Sequence, residues 1–143
     1  MPYQHIRKLC DEIIADGMAT LGMTMGVVSR IKGELYEIVG VSSKPIVFVV
    51  GESFQLKDTF CREVVEKGTT IAMTEQDGVP GLCMHPLYSE GASLEAYIST
   101  PLYNNGKIWG TLNFSSLEIK SHSFTEEDIE YIKRGAAIIS AAI

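Results

Sequence analysis

The dipeptide Asn105-Gly106 lies between two long segments of strand-forming residues, and it constrains the fold more strongly than any other feature of the sequence. Asparagine and glycine are the residue types that most readily adopt the positive φ angles of a type I′ turn, so this dipeptide between two such segments is a strong hairpin signal. We therefore predict antiparallel strands over 96–103 and 107–116. The fold must contain a β-sheet that is built at least partly from sequential hairpins.

A two-residue loop also sets the register of this hairpin, because it pairs Tyr103 with Ile108. Uninterrupted pairing then places six side chains on one sheet face: Tyr97, Pro101, Tyr103, Ile108, Leu112 and Phe114. The opposite face carries Ile98, Thr100, Leu102, Trp109, Thr111 and Asn113. An unpaired polar group in a dry core costs roughly 1–3 kcal/mol, so this mixed face indicates the wall of a cavity or a solvated surface. Pro101 has no N–H to donate, which indicates a bulge or an edge position.

Helices are predicted at both ends of the chain. Within 1–22, apolar residues recur at three- and four-residue steps, and Gly22 is placed to end the helix. The last helix is predicted within 124–143, where Thr125 and Asp128 approximate a capping box. Its apolar residues then follow alternating three- and four-residue spacing, which is typical of a short coiled-coil seam.

The residues between these helices, 23–116, are predicted to form the sheet core of a single α+β domain that spans 1–143. The further predicted elements are strands at 27–31 and 35–39 joined by a hairpin, a loop at 42–45, a short strand or buried loop segment at 46–50, a helix at 59–67, a strand at 70–74 and a long loop at 76–93. A structureless connection of that length inside a compact domain is usually functional or mobile.

Composition argues against several functional classes. Lys and Arg total 12 against 18 Asp and Glu, and the net charge of −6 disfavours nucleic acid and anionic membrane surfaces as partners. No segment approaches the roughly 20 apolar residues of a membrane span, and the first residues lack the apolar stretch of a signal peptide. The 3 cysteines form no C-x-x-C pair, which suits reduced thiols. We therefore expect a cytoplasmic domain.

Six segments resemble, in the same order, motifs of the GAF domain, a small-molecule-binding sensor module of many signalling proteins. They are 26–31, 51–61, 85–88, 94–102, 108–116 and 124–128. The second to fifth are similar to the branch of the family that is fused to bacterial sensor histidine kinases and diguanylate cyclases. The resemblance implies a PAS-related central antiparallel sheet of about six strands. It places the N- and C-terminal helices on one face of that sheet and a ligand pocket on the other.

The resemblance also implies a non-catalytic sensor whose pocket occupancy is coupled to its terminal helices. GAF domains commonly form homodimers through those helices and signal along them to an output domain, such as a histidine kinase or a diguanylate cyclase. The expected ligand is an unidentified small molecule between the sheet and the loop 76–95, and the sequence selects no cofactor and no metal. The candidate ligand-binding residues are Phe60, Cys61, His85, Tyr88, Ile98, Thr100, Thr111, Asn113 and Ser115.

Cysteine and histidine chemistry supplies the alternatives. Cys83 and His85 have no second ligand pair for a metal or haem iron, and Met84 interrupts the Cys-His pair of bilin-binding GAF domains. A bound metal, a haem and a bilin are therefore all disfavoured. A methionine sulfoxide reductase of GAF fold uses loop cysteines, and Cys83 and Cys61 would be their counterparts here, but its cysteine-containing segment is not matched at 51–54. A dimerisation module without a functional pocket is the other alternative.

Overall fold

The computed structural model describes residues 3–43, 49–58, 61–74, 96–116 and 124–143. Its elements are α1 (Gln4–Leu21), β1 (Met25–Lys32), β2 (Leu35–Ser43), β3 (Ser53–Gln55), a 3₁₀ turn (Leu56–Asp58), α2 (Cys61–Lys67), β4 (Ile71–Thr74), β5 (Ala96–Asn104), β6 (Lys107–Ser116) and α3 (Glu126–Ala142). Both predicted terminal helices, both hairpins and the short central helix are confirmed. The predicted long loop at 76–93 lies outside the described residues.

Within the described ranges, six strands form an antiparallel sheet in the order β3-β2-β1-β6-β5-β4. The pairing of β1 with β6 joins the two hairpins at the centre of the sheet. Because sequential strands pair within each hairpin, the sheet needs only this one long-range pairing to bring the two halves together. The predicted α+β class, with its antiparallel sheet and flanking helices, is confirmed.

The main apolar core lies between the sheet and the two terminal helices. It includes Ile6, Cys10 and Ile14 from α1, Ile132, Ala136 and Ile139 from α3, and Val28, Ile98, Leu102, Leu112 and Phe114 from the sheet. Two glycines allow the close approach of α1. A Cβ atom on Gly17 would lie 2.2 Å from Cζ of Phe114, and one on Gly26 would lie 2.9 Å from Cε1 of the same ring. The Phe114 ring therefore occupies space that a larger residue at either position would need.

Local sequence signals determine where the terminal helices begin and end. Gly22 ends α1 with a φ of 68°, a left-handed conformation that costs glycine little. The capping box of α3 is complete: the Asp128 N–H donates to Oγ1 of Thr125 at 3.2 Å, and the Thr125 N–H donates to Oδ2 of Asp128 at 2.9 Å. Three acidic residues in the first turn also complement the positive end of the helix dipole.

The hairpin between β5 and β6 has the predicted turn but only part of the predicted register. Asn105 and Gly106 have φ angles of 53° and 77°, as a type I′ turn requires, and Tyr103 pairs with Ile108. A bulge then adds Trp109 to β6, so that Pro101 pairs with Thr111 and Tyr97 with Ser115 instead of the predicted partners Gly110 and Phe114. The predicted register is therefore wrong beyond the turn.

The bulge places the side chains of β5 on the opposite faces from those predicted relative to β6. A one-residue slip in the register moves every later side chain to the other face of the sheet. Ile98 and Thr100 pair with Phe114 and Leu112, so all four side chains point towards the terminal helices. The prediction that Ile98 and Thr100 share a face with Thr111 is wrong. The carbonyl group of the extra residue is satisfied by Arg30, whose Nη1 donates to the carbonyl oxygen of Trp109 at 3.0 Å.

The structure differs from the sequence prediction at the end of β2. Ser42 and Ser43 pair with Gly26 and Met25, although we predicted a loop at 42–45. Pairing with β1 extends the strand through residues of low intrinsic strand preference, because cross-strand contacts outweigh propensity. Strand β3, which pairs with the start of β2, was also not predicted. Of the ambiguous segment 46–50, residues 46–48 lie outside the described residues.

Candidate functional site

A row of buried polar side chains crosses the centre of the sheet on the face opposite the terminal helices. The members are Ser29 on β1, Ser99 on β5, and Thr111, Asn113 and Ser115 on β6. Strand alternation places them together, since Ser29 pairs with Thr111 and Ser99 pairs with Asn113. Ser29 and Thr111 are 0% exposed and Asn113 is 5% exposed. We call these five residues the polar row.

Hydrogen bonds connect the polar row to itself and to β2. The hydroxyl oxygens of Ser29 and Thr111 lie 2.6 Å apart, and Nδ2 of Asn113 donates to the hydroxyl oxygen of Tyr36 at 3.4 Å. The row consists of hydroxyl and amide groups, which both donate and accept without carrying charge. Such groups can recognise a neutral polar ligand by exchanging these internal bonds for bonds to the ligand.

An apolar cluster borders the polar row on the same face. Its buried members are Met25, Val27, Ile31, Tyr36, Ile38, Leu56 and Tyr97. Val65 of α2 packs against this cluster, so α2 lies on the face opposite the terminal helices. Small-molecule sites typically combine an apolar lining with a few convergent polar groups, and this face offers both.

The structure brings together only part of the predicted site. Thr111, Asn113 and Ser115 lie side by side in the polar row, whereas Ile98 and Thr100 lie on the other face. Phe60, His85 and Tyr88 lie outside the described residues. Cys61 begins α2, and its side chain also lies outside the described part. The predicted ligand contacts of all nine residues stay predictions.

Sequence reasoning missed three polar members of this face: Ser29, Ser99 and Tyr36. Ser29 lies between Val27 and Ile31 in an alternating strand, so its position on the inner face was readable from the sequence. Ser99 was missed because the predicted register of β5 was wrong by one residue and did not place its side chain beside Asn113. Tyr36 becomes relevant only through its long-range contact with Asn113.

A groove opens at the edge of the sheet, beyond the start of β4. It has a volume of about 550 Å³ and lies between the connection 68–70, the end of β5 and the helix α3. The hydroxyl oxygens of Thr70 and Thr100 are 2.8 Å apart at this groove, and the Tyr103 N–H donates to Oγ of Ser140 at 3.0 Å. We call this feature the edge groove. No local pattern in the sequence indicates this groove, because it forms from three separate segments.

Among the described residues, the titratable groups with a perturbed pKa, Cys10 and Tyr131, lie on the helix side of the sheet. Burial, with a smaller contribution from the nearby Asp11 carboxylate, raises the pKa of the Cys10 thiol to about 11. Cys10 is therefore a protonated core residue at neutral pH and a poor nucleophile. Burial and a hydrogen bond donated to Asp16 raise the pKa of Tyr131, and this bond joins α3 to α1.

The described residues contain no cluster of three or more His, Cys, Asp or Glu side chains that could hold a metal ion. Among the described helices, none has the length and hydropathy that a membrane span requires.

Known structures with the same fold come from several kinds of protein. The GAF domain of a phosphoenolpyruvate-protein phosphotransferase from Coxiella burnetii is 15% identical, with a TM-score of 0.76, over 97% of this chain and 82% of that one. The free methionine-R-sulfoxide reductase from Neisseria meningitidis, solved with its substrate, is 18% identical, with a TM-score of 0.70, over 93% and 74%.

The chromophore-binding domain of the Stigmatella aurantiaca bacteriophytochrome is 14% identical, with a TM-score of 0.69, over 96% of this chain and 54% of that one. This chain therefore spans about half the length of that phytochrome domain. Comparison with curated protein sequences gives no match. The model of the GAF domain family matches residues 5–143, nearly the whole chain. The protein is therefore a member of the GAF domain family.

Proposed function

We propose that this GAF domain is a non-catalytic sensor that binds a small molecule against the polar row and signals through its terminal helices. The observation that carries the proposal is the burial of Thr111, Asn113 and Ser29 in the middle of the sheet, beside an apolar cluster. A core selected for stability alone would favour apolar residues at these positions, because each buried polar group must be desolvated and paired. The fold is shared with sensor proteins such as a bacteriophytochrome.

The proposed signal path runs through β6. The side chains of β6 point alternately to the two faces of the sheet. Thr111 and Asn113 belong to the polar row on one face, whereas Leu112 and Phe114 pack under α1 and α3 on the other. A ligand that displaces β6 therefore changes the packing of both terminal helices. The size of the response is limited by the difference in binding free energy between the two helix arrangements.

The terminal helices are also the proposed dimer interface and the link to an output domain in a cytoplasmic signalling protein. Ile138 on α3 is 54% exposed, which is consistent with an apolar helix face that a second copy would cover. A hydrogen bond from Tyr131 to Asp16 holds the two helices together, so that they would move as one unit.

Thermal denaturation of the protein with cyclic AMP, cyclic GMP and a panel of common metabolites tests the proposal. We expect at least one compound to raise the Tm, since a ligand at 100 times its Kd stabilises the folded state by about 2.7 kcal/mol. The shift should be lost in Asn113→Ala and kept in Ser116→Ala, which removes a buried hydroxyl from the opposite sheet face. Failure of every compound to shift the Tm would contradict the sensor proposal.

Trp109 provides a second readout, because it is the only tryptophan and contacts the start of α1. Its ring lies edge-on to Tyr3 at 5.5 Å between centroids, and Tyr3 directly precedes α1. A bound ligand that shifts α1 should change the fluorescence of Trp109. An unchanged spectrum at saturation would remove the coupling step from the proposal and leave only binding.

A dimerisation module without a functional pocket is the second candidate. It is favoured by the direct contact between Ser29 and Thr111, since polar groups that satisfy each other need no ligand. Sedimentation analysis of the ligand-free protein, combined with the denaturation panel, separates the two. A stable dimer with no Tm response would favour the module, whereas a ligand-dependent Tm would favour the sensor.

A thiol-based reductase is the third candidate, and the observation behind it is the shared fold with the Neisseria enzyme. The assay is turnover of free methionine sulfoxide with a thiol reductant. We expect none, and turnover that disappears in Cys83→Ser would overturn the non-catalytic proposal.

A further inference from the structure

The edge groove exists because β4 is shorter than the strand it pairs with. The β4–β5 ladder runs from Thr74 opposite Ala96 to Ile71 opposite Ser99, and β5 then continues to Asn104 paired with β6 but no longer with β4. The connection 68–70 and the helix α3 form the two sides of this gap. Its volume of about 550 Å³ lies within the range of roughly 300–1,000 Å³ that is typical of small-molecule sites.

An added peptide strand is not the occupant that this edge favours. Tyr103 directs its N–H away from β6 and donates it to Oγ of Ser140, so this donor is already used. In an antiparallel strand every second residue points its N–H to the same side, and the preceding outward position is Pro101, which has no N–H. The edge therefore lacks two successive donors for strand pairing, and a compact ligand is favoured.

Several polar groups of the groove can donate a hydrogen bond to a ligand. Thr70 and Thr100 share one hydrogen bond, so the hydroxyl that accepts it keeps its own proton for a ligand. The Ser140 hydroxyl oxygen accepts from the Tyr103 N–H, and this bond does not use the Ser140 hydroxyl proton. Lys133 contributes an ammonium group, and the described residues that line the groove include no Asp or Glu. Donors around one cation are the complement of an anion.

The rest of the lining is apolar and limits the charge of the ligand. Pro101, Ala136 and Ala137 line the groove beside the polar groups. The lining contains one cation, and the chain carries a net charge of −6, so a multiply charged anion would be poorly compensated. A single carboxylate on an aliphatic chain matches both the one ammonium group and the apolar wall.

We propose that the edge groove is a second binding site, which takes an aliphatic monocarboxylate with its carboxylate at Lys133 and its chain along Pro101 and α3. This site goes beyond the proposed sensor function, because the sheet separates Thr100 from the polar row. Occupancy of the groove and occupancy of the face above Asn113 can therefore be measured separately, at different residues.

Titration of the isotope-labelled protein with octanoate, followed by amide chemical shifts in NMR spectra, tests the proposal. We expect saturable shifts at Thr70, Tyr103 and Ser140. The neutral analogue octanamide and the variant Lys133→Gln should each weaken binding about tenfold, which corresponds to about 1.4 kcal/mol. Arg134→Gln is the matched control, because Arg134 is the neighbouring cation on α3 and does not line the groove. This variant should bind octanoate like the unmodified protein.

Three results would overturn the proposal. The first is an absence of saturable shifts at the groove residues, and the second is equal affinity for octanoate and octanamide. The third is tighter binding of inorganic phosphate than of octanoate at the same residues, which would show that the ligand class is wrong. Shifts confined to Thr111 and Asn113 would count as the first result, and they would leave the sensor proposal standing.

Discussion

Phe114 on β6 lies against Gly17 of α1 so closely that a Cβ atom at residue 17 would approach its Cζ to 2.2 Å. This contact joins the strand that carries the polar row to the N-terminal helix. It also explains why a glycine is retained inside a helix, where it costs about 0.5–1 kcal/mol relative to alanine.

Gly17→Ala is expected to destabilise the domain by about 1–3 kcal/mol, because the helix or the Phe114 ring must move to admit the methyl group. Gly135→Ala in α3 is the matched control. Its Cβ would lie 3.2 Å from Cγ2 of Ile13, a flexible side chain, so its better helix propensity should offset most of the cost. Urea denaturation of both variants measures the difference. Equal stability of the two would show that the Phe114 contact is not restrictive.

Thr111→Val is expected to lower the free energy of unfolding by about 1–3 kcal/mol, because it leaves the buried Ser29 hydroxyl without the partner 2.6 Å away. Thr111→Ser keeps a hydroxyl at that position and should lose less. The double variant Ser29→Ala with Thr111→Val should recover part of the loss, since both hydroxyls are then removed. Additive losses in the denaturation cycle would mean that the two hydroxyls do not stabilise each other.

Thr125→Ala should destabilise α3 by about 1 kcal/mol, because the first turn loses its acceptor for the Asp128 N–H. Thr125→Ser retains the hydroxyl and should stay within a few tenths of a kcal/mol of the original protein. Thermal unfolding followed by circular dichroism measures both. If alanine and serine behaved alike, the capping box would contribute nothing to stability.

Stability should decline with alkaline pH in a way that depends on Cys10. Its pKa rises from 9.0 in the unfolded chain to about 11 in the folded protein, because burial disfavours the thiolate. Between these two values the folded protein keeps the thiol proton, whereas the unfolded chain releases it. The free energy of unfolding therefore falls as the pH rises from about 9 to about 11. The loss is at most about 1.4 kcal/mol per pH unit.

Denaturation of the original protein and of Cys10→Ala across this pH range isolates the effect, because other groups titrate in both proteins. The stability of Cys10→Ala should fall less steeply than that of the original. Parallel curves would indicate that the thiol is as accessible to solvent in the folded protein as in the unfolded chain.

Several features of the site depended on the tertiary structure. The sequence correctly placed Thr111 and Asn113 on a mixed polar face, since alternation along β6 is a local property. It assigned Ile98 and Thr100 to that face wrongly, because the bulge at Trp109 shifts β5 by one residue. The bulge is stabilised by Arg30, which is 79 residues away in sequence and donates to the Trp109 carbonyl oxygen.

The sequence alone was sufficient for the features that depend on neighbouring residues. These are the Asn105-Gly106 turn, the end of α1 at Gly22 and the start of α3 at Thr125, where backbone angles and capping bonds involve residues that are close along the chain. The tertiary structure decided the strand register beyond the bulge, the extension of β2 through Ser43 and the shape of the edge groove. Each of these depends on contacts between distant segments, whose free energies outweigh local preferences and leave no local signal in the sequence.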